Sequence, residues 1–285
     1  MARPASPHPD ERGTLMNAAP ARPREVPEFR SEVYKPRAAN YCVCLFVINE
    51  GERVRRQLAK MTALAQTFDV VIADGGSCDD SLTPDFLQAQ GVRALLTKTG
   101  PGKLSAQMRM AFAWALDEGY EGVIVMDGND KDDPAAIPAF GAALAAGWDH
   151  LQGSRFIPGG RHENTPLSRL LAVKFIHAPL ISLAAGFPYT DTTNGFRAYS
   201  RKLLEDSRVQ PLRAVFSSYE LHYYLAIRAA RLRFRVKELP VTRIYPRGEK
   251  TPTKISPLRG NMRVLGILWR AFRHRYDPPL PGATP

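Results

Sequence analysis

The sequence predicts a single α/β domain built around a mostly parallel, doubly wound β-sheet. Apolar segments of strand length alternate with segments of helical spacing through the first half of the chain, a pattern typical of a sheet with helices on both faces. With 285 residues, 44% of them hydrophobic, the chain can bury one large core. Acidic or amide side chains directly follow three of the predicted strands, where parallel sheets bind their ligands.

The first four strands and four helices follow one another in strict alternation. The strands are short, apolar and rich in residues that favour β-structure: Tyr41–Val47, Asp69–Ala73, Val92–Thr97 and Gly122–Met126. The helices carry apolar residues at spacings of three and four: Val54–Phe68, Pro84–Gln90, Leu104–Glu118 and Pro134–Ala146. This order predicts a parallel arrangement, because a helix can return the chain to the starting edge of the sheet.

The second half is less regular. Strand-like segments at Arg233–Lys237 and Val241–Tyr245 flank Glu238-Leu239-Pro240. The apolar segment Phe175–Thr190 is below the length of a membrane span, so it is either a buried helix or a lipid-facing groove or re-entrant element. Near the C-terminus, a helix is predicted with an apolar stripe and an arginine-rich face, and it either packs on the core or lies on anionic lipid. The stripe is Leu258, Met262, Leu265, Trp269 and Phe272, and the arginines are Arg259, Arg263, Arg270 and Arg273.

The formal net charge is +11, and it is concentrated near the C-terminus. Between Arg228 and Arg275, 14 lysines and arginines stand against two acids. This excess requires an anionic partner or solvent. Nucleic acid is disfavoured because no aromatic stacking platform or reading motif accompanies the charge. The three cysteines exclude a disulfide scaffold and indicate reduced thiols in a cytosolic protein: Cys42, Cys44 and Cys78.

The polar residues at the strand ends indicate a ligand site. Asn49-Glu50, Asp74 and Asp127 each follow a different strand. The densest cluster is Asp127-Gly128-Asn129-Asp130-Lys131-Asp132-Asp133-Pro134. Such oxygen ligands suit Mg²⁺ or Mn²⁺ bridging the phosphates of a nucleotide. The alternative is a solvated loop in which Asp133 caps the next helix.

Eight short motifs, in this order, resemble family 2 glycosyltransferases and their dolichol-phosphate mannose synthase branch, over roughly residues 40–272. Single motifs are weak, but chance does not readily produce the series. They are Asn49-Glu50, Ala73–Asp79, Met126–Asn129, Gly153–Phe156, Asp191–Tyr199, Tyr219–Leu221, Glu238–Pro240, and Arg247-Gly248 with Thr253-Lys254.

The resemblance implies a glycosyltransferase-A (Rossmann-like) fold and assigns roles by position. Nucleotide-sugar binding would fall to Asn49, Glu50, Asp74, Gly75, Asp127, Asn129 and Lys131. The acceptor, or its phosphate, would meet Arg155, Asn194, Arg197, Glu220, Arg247 and Lys254. Catalytic roles are expected for Asp127, Arg155 and Asp191, and Asp191 would serve as the base if the acceptor is a hydroxyl. Asp191 could equally be a turn-capping residue.

Two departures from the family pattern affect the expected Mg²⁺ or Mn²⁺ at Asp127 and Asn129. The usual second aspartate of the metal motif is Asn129, and the glutamine that often follows aligns with Lys131. An amide oxygen binds Mg²⁺ more weakly than a carboxylate. Asp130 is therefore an alternative second ligand, and Lys131 could place a fixed cation near the diphosphate.

The resulting functional prediction is an inverting glycosyltransferase. It would move a sugar from a UDP- or GDP-linked donor to a polyprenyl phosphate or a glycan precursor, in the cytoplasm or in peripheral contact with the inner face of the membrane. The alternatives are an inactive sugar-nucleotide-binding homologue, a nucleotidyltransferase, which the acidic Asn49–Glu52 segment disfavours, and a nucleic-acid binder. The predicted organisation is a disordered proline-rich arm (1–39), the glycosyltransferase domain (40–255), a basic amphipathic helix (256–275) and a disordered tail (276–285).

Overall fold

The structure, a computed structural model, describes residues 24–246 and 259–278, without the side chains of residues 259–261. The strands in these ranges are β1 (Phe29–Val33), β2 (Tyr41–Val47), β3 (Asp69–Asp74), β4 (Val92–Lys98), β5 (Gly122–Asp127), β6 (His150–Ser154), β7 (Arg161–Glu163), β8 (Arg197–Ser200), β9 (Val236–Pro240) and β10 (Thr242–Ile244). The helices are α1 (Glu52–Met61), α2 (Pro84–Ala89), α3 (Leu104–Asp117), α4 (Ile137–Ala145), α5 (Leu167–Ala172), α6 (Ala178–Ala185), α7 (Arg201–Glu205), α8 (Glu220–Arg231) and α9 (Arg259–Phe272).

Eight of these strands form one sheet in the order β1-β4-β3-β2-β5-β8-β6-β9. The neighbours from β4 to β5 are parallel, as is the pair β6 and β9. Strand β8 is antiparallel to β5 and β6, and β1 is antiparallel to β4. Strands β7 and β10 pair in a separate small sheet. The expectation of a mostly parallel sheet in one α/β domain is confirmed.

Alternate residues of β2 enter two different cores. Cys42, Cys44 and Phe46 pack in the cluster that contains α3, α8 and α9, while Val43 and Leu45 pack in the cluster beneath α1 and α4. This alternation follows from the two-residue period of a strand. Helices therefore cover both faces of the sheet.

Five stretches differ from the sequence-based expectation. Residues 29–33, predicted as part of the disordered arm, form β1 at the sheet edge. Tyr276, predicted to lie in a disordered tail, is buried against the core. Glu238–Pro240 belong to β9 rather than to a connection. Strands β6 and β8 were not predicted, because His150, Gln152 and Arg197 interrupt the apolar pattern even though all of them are buried.

The two apolar helices in the second half expose much of their apolar surface. Residues 167–185 form one continuous helix in which α5 and α6 are joined by a π-helical turn at Val173–His177. By length and composition this described helix could cross a membrane, but only 22% of it is buried, and Phe175 is 72% exposed. Of the expected stripe of α9, Met262, Leu265 and Trp269 are exposed and Phe272 packs partly on the core, while Leu258 lies outside the described residues. The residues of α9 that are buried in the core are Ile267, Leu268 and Ala271.

Candidate active site

The strand ends that carry the predicted site residues are neighbours in the sheet. Val47 of β2 pairs with Asp74 of β3, and Phe46 pairs with Asp127 of β5. From α3, the Gln107 amide donates to the carbonyls of both Val47 (3.0 Å) and Ala73 (3.1 Å). The sheet topology therefore brings the three predicted strand ends together, and a buried glutamine holds two of them at fixed spacing.

The two loops after β2 and β3 are tied to each other. Asp74 accepts hydrogen bonds from the Ser77 backbone and hydroxyl (2.6–3.0 Å), and it is only 3% exposed. The Asn49 side chain accepts from the Cys78 backbone at 2.9 Å. These contacts occupy Asp74 and Asn49 within the loops, whereas Glu50 lines the adjoining cavity. The predicted contacts of Asp74 and Asn49 with a nucleotide base stay predictions.

An arginine distant in sequence reaches the end of β5. Arg243 Nη2 lies 3.1 Å from Asp127 Oδ2, and Arg243 Nη1 donates to buried Asp132. Burial alone would raise the pKa of Asp127, but Arg243 and Lys131 outweigh it and hold that pKa below its usual value. Burial and the Arg243 charge lower the pKa of Lys131, and Asp127 partly offsets them. Asp127 is thus an ionised carboxylate already engaged by cations.

The oxygen atoms at this strand end fit a divalent cation poorly. Asn129 donates its amide N–H to Asp127 Oδ2 (3.4 Å), the oxygen that also faces Arg243. Asn129 Oδ1 is buried with no hydrogen-bond partner among the described residues, but an amide oxygen binds Mg²⁺ more weakly than a carboxylate, and the Asp127 carboxylate beside it is already paired with Arg243. Asp130 is instead paired with Lys60 at 2.7 Å. Within residues 24–246 and 259–278, no three His, Cys, Asp or Glu side chains are grouped so that they could hold a metal.

Arg155 and Asp191 form a buried ion pair with two contacts. Arg155 Nε lies 2.6 Å from Asp191 Oδ2 and Nη2 lies 3.0 Å from Oδ1, with side-chain exposures of 1% and 0%. The Asp191 backbone N–H donates to Glu238 at 3.1 Å. A carboxylate held in this way has no exposed surface with which to take a proton from an acceptor. The geometry supports a positioning role for Asp191, whereas Arg155 lines the cavity.

The remaining predicted acceptor residues hold the backbone in this structure. Arg197 donates to the carbonyls of Thr192 (2.7 Å), Asn194 (3.0 Å) and His222 (2.7 Å). Glu220 accepts from the backbone N–H groups of Ser217 and Ser218, in the loop just before α8, and so fixes that loop. Arg197 also lines the cavity. Arg247 and Lys254 lie outside the described residues, so their roles stay predictions.

A cavity of about 830 Å³ joins a polar end to an apolar end. The polar end contains Asp127, Lys131 and Arg243 at the sheet edge. The apolar end lies between the 167–185 helix and α9, and it is lined by Ala172, Val173, Ile176, Tyr223, Val264 and Leu265. Gly195 permits close packing at the polar end, since a Cβ there would lie 2.9 Å from Asp127 Oδ1.

Sequence reasoning missed Gln107, Gln57 and Arg243, and it assigned no role to Glu238 although that residue lies in one of the eight motifs. Gln57 of α1 donates to the Asp127 carbonyl at 3.0 Å and accepts from the Asp130 backbone at 2.8 Å. Gln57 and Gln107 lie on the apolar faces of their helices, Gln57 beside Val54 and Leu58, and this is the one signal that could have marked them. Arg243 gave no such signal, because it stood in a long basic segment.

The chain is similar to two curated bacterial proteins. An undecaprenyl-phosphate mannosyltransferase from Micrococcus luteus is 29% identical over 199 residues, which make up 68% of this chain and 79% of that protein. A polyprenol monophosphomannose synthase from Mycolicibacterium smegmatis is 30% identical over 198 residues, or 68% of this chain and 73% of that protein. No protein-family model matches the chain.

Among solved structures, glucosyl-3-phosphoglycerate synthase from Mycobacterium tuberculosis, in complex with Mn²⁺, UDP-glucose and phosphoglyceric acid, is similar in fold. The TM-score is 0.59 at 15% identity, with 84% of this chain and 81% of that chain covered. Fold and site together define a glycosyltransferase with the glycosyltransferase-A fold. More particularly, the chain belongs to the family 2 glycosyltransferases, in the dolichol-phosphate mannose synthase branch. The expected fold, family and enzyme class are confirmed.

Proposed function

We propose that this enzyme transfers a sugar, with inversion, from a nucleotide sugar to a polyprenyl phosphate at a membrane surface. The observation that carries the proposal is that one cavity has a cationic end at the sheet edge and an apolar end between two helices. A donor diphosphate suits the first end and a lipid chain the second. The names of the two bacterial relatives make mannose the first sugar to test.

The state of Asp191 favours a phosphate acceptor over a hydroxyl. A phosphate oxygen is already an anionic nucleophile, so it requires no base, whereas a hydroxyl must lose a proton. Asp191, the candidate base, is fully paired with Arg155. Arg155 lines the cavity but its side chain is only 1% exposed, so it acts on the acceptor phosphate through its positive charge, and Asp191 fixes its orientation.

The expected Mg²⁺ or Mn²⁺ at Asp127 and Asn129 takes no part in this proposal. The solved neighbour contains Mn²⁺, but in this chain Arg243 already pairs with Asp127 and Lys131 replaces an expected ligand. In the transfer, positive charge develops on the sugar and negative charge on the leaving phosphate. The cations that line the polar end are suited to stabilise that leaving charge.

Peripheral membrane contact is supported by the exposed apolar side chains of two neighbouring helices. On the 167–185 helix, Leu167, Leu171 and Phe175 recur every four residues and are exposed, as is Leu183. On α9, the exposed apolar side chains are Met262, Leu265 and Trp269. Both helices bury their other faces in the same core. An apolar surface flanked by arginines is suited to lie in the headgroup region of an anionic bilayer.

The transfer is tested with purified protein, short-chain polyprenyl phosphate and a panel of radiolabelled UDP- and GDP-hexoses. We expect label in the organic phase from one donor and an inverted anomeric centre in the product by NMR. A soluble glycan precursor replaces the lipid as the comparison acceptor. Donor binding without transfer to either acceptor would indicate an inactive homologue and contradict the proposal.

Membrane contact is tested by sedimentation with vesicles that contain anionic lipid. The Leu171→Glu and Phe175→Glu double variant should lose most of the bound fraction, because it places charge in the apolar face. Val33→Glu is the matched control, since Val33 is 53% exposed but lies on the outer strand of the sheet. Equal loss in the control, or no loss in the double variant, would contradict the assignment of this face.

A further inference from the structure

Two cationic side chains lie beside Asp127, where the family pattern places a divalent cation: Lys131 aligns with an expected ligand, and Arg243 pairs with Asp127. Lys131 and Arg243 are each nearly buried, at 5% and 6% exposure, and both line the polar end of the cavity. The Lys131 Nζ and the Arg243 Cζ lie 5.4 and 5.7 Å from the centre of the same Tyr245 ring. The two charges are therefore neighbours, although 112 residues separate them in the chain.

Backbone hydrogen bonds hold Lys131 and Arg243 near each other. The Ile244 N–H donates to the Lys131 carbonyl at 2.8 Å, and the Asp133 N–H donates to the Thr242 carbonyl at 3.0 Å. Asp132 and Arg243 face each other in an antiparallel bridge between these two hydrogen bonds. The loop after β5 is thus paired with β10, which holds both cations at the sheet edge before any ligand arrives.

Asp132 holds Arg243 in place without filling the cavity. It is 3% exposed, it accepts from Arg243 Nη1, and it does not line the cavity. The second terminal nitrogen of the Arg243 guanidinium, Nη2, faces Asp127. Seven lysines and arginines line the cavity, against two acids, Glu50 and Asp127. This excess of positive charge attracts an anion and repels a divalent cation.

We infer that Lys131 and Arg243 bind the donor diphosphate directly and supply the positive charge that a divalent cation supplies in related enzymes. The inference rests on the proposed function. In the transfer, the bond between the sugar anomeric carbon and the β-phosphate oxygen breaks, and its electron pair stays on that oxygen. An oxygen of the acceptor phosphate forms the new bond to the same carbon. Lys131 and Arg243 neutralise the nucleoside diphosphate that leaves.

The test measures binding of UDP and GDP to the intact chain by titration calorimetry, once with EDTA and once with MnCl₂. For the nucleotide that binds, we expect dissociation constants within about twofold in the two conditions. Lys131→Gln should weaken binding in EDTA by about tenfold or more, since a charge-assisted contact is lost, and Lys131→Arg should retain most of it. Lys202→Gln, an exposed lysine that does not line the cavity, is the control and should bind as the wild type does.

A variant that restores the family pattern gives a second readout. Asn129→Asp with Lys131→Gln should bind Mn²⁺ in the presence of the nucleotide, seen as loss of the free-Mn²⁺ signal in electron paramagnetic resonance, whereas the wild type should leave that signal unchanged. Wild-type binding that weakens more than about tenfold in EDTA would overturn this inference and leave the proposed transferase intact. No binding of either nucleotide in either condition would overturn the proposed function as well.

Discussion

The Arg155–Asp191 pair offers the sharpest test of whether Asp191 is a structural or a chemical residue. Both side chains are almost completely buried and are joined by contacts of 2.6 and 3.0 Å. Among the described residues, Asp191→Ala would leave the buried guanidinium with Thr193 Oγ1, at 3.1 Å, as its remaining side-chain hydrogen-bond partner. Removing one member of such a pair typically costs about 3–5 kcal/mol, because the other charge stays buried without compensation.

We therefore expect Asp191→Ala to lower the free energy of unfolding by about 3–5 kcal/mol, measured by urea denaturation. The double variant Arg155→Met, Asp191→Leu should recover most of that loss, since no charge is left buried alone. A general base, in contrast, would show little change in stability and a rate loss of about 10²–10⁴-fold. A stability loss below about 1 kcal/mol together with abolished transfer would refute the structural assignment.

Three further predictions test the surrounding framework. Gln107→Leu should lower the free energy of unfolding by about 2 kcal/mol in urea denaturation, because two buried hydrogen bonds to the Val47 and Ala73 carbonyls are lost, although the Gly75 N–H still donates to Val47. Gly195→Ala should weaken nucleotide binding in calorimetry with little change in Tm, because its Cβ would lie 2.9 Å from the Asp127 carboxylate; unchanged binding would contradict the close approach. Burial, with the nearby Arg197 charge, lowers the pKa of His150 to about 3. As the pH falls, His150 is therefore protonated in the unfolded chain at a higher pH than in the folded protein. Stability should drop by about 2 kcal/mol from this group between pH 7 and 5, and His150→Phe should remove that part of the loss in urea denaturation at both pH values.

The first half of the fold was accessible from the sequence because its signals are local. Strand β2 has the predicted bounds, Tyr41–Val47, and the three strands that follow it differ by a residue at most. Continuous apolar strands between periodic helices have few alternative arrangements. The sheet was harder to predict beyond β5, where β6 carries His150 and Gln152 in the interior. Buried polar residues are stable there only through partners that the local pattern does not reveal.

The candidate site, like the fold, was predictable only where its signals are local in the sequence. Parallel strands end at one edge, so the spacing of Asp74 and Asp127 alone predicted their proximity. The same spacing did not show that Asp74 would be occupied by Ser77, or that Asp191 would pair with Arg155.

The sequence by itself determined the fold class, the family and the edge of the sheet at which the chemistry lies, because each follows from periodicity or from short contiguous motifs. Only the tertiary structure decided which charges meet there. Arg243 reaches Asp127 across 116 residues because the loop after β5 pairs with β10. The tertiary structure also decided which face of α9 is buried. Both faces carry apolar residues, and Ile267 and Leu268 are buried because their face packs on the neighbouring helices. A charge or an apolar side chain has a defined partner only once distant segments have packed together.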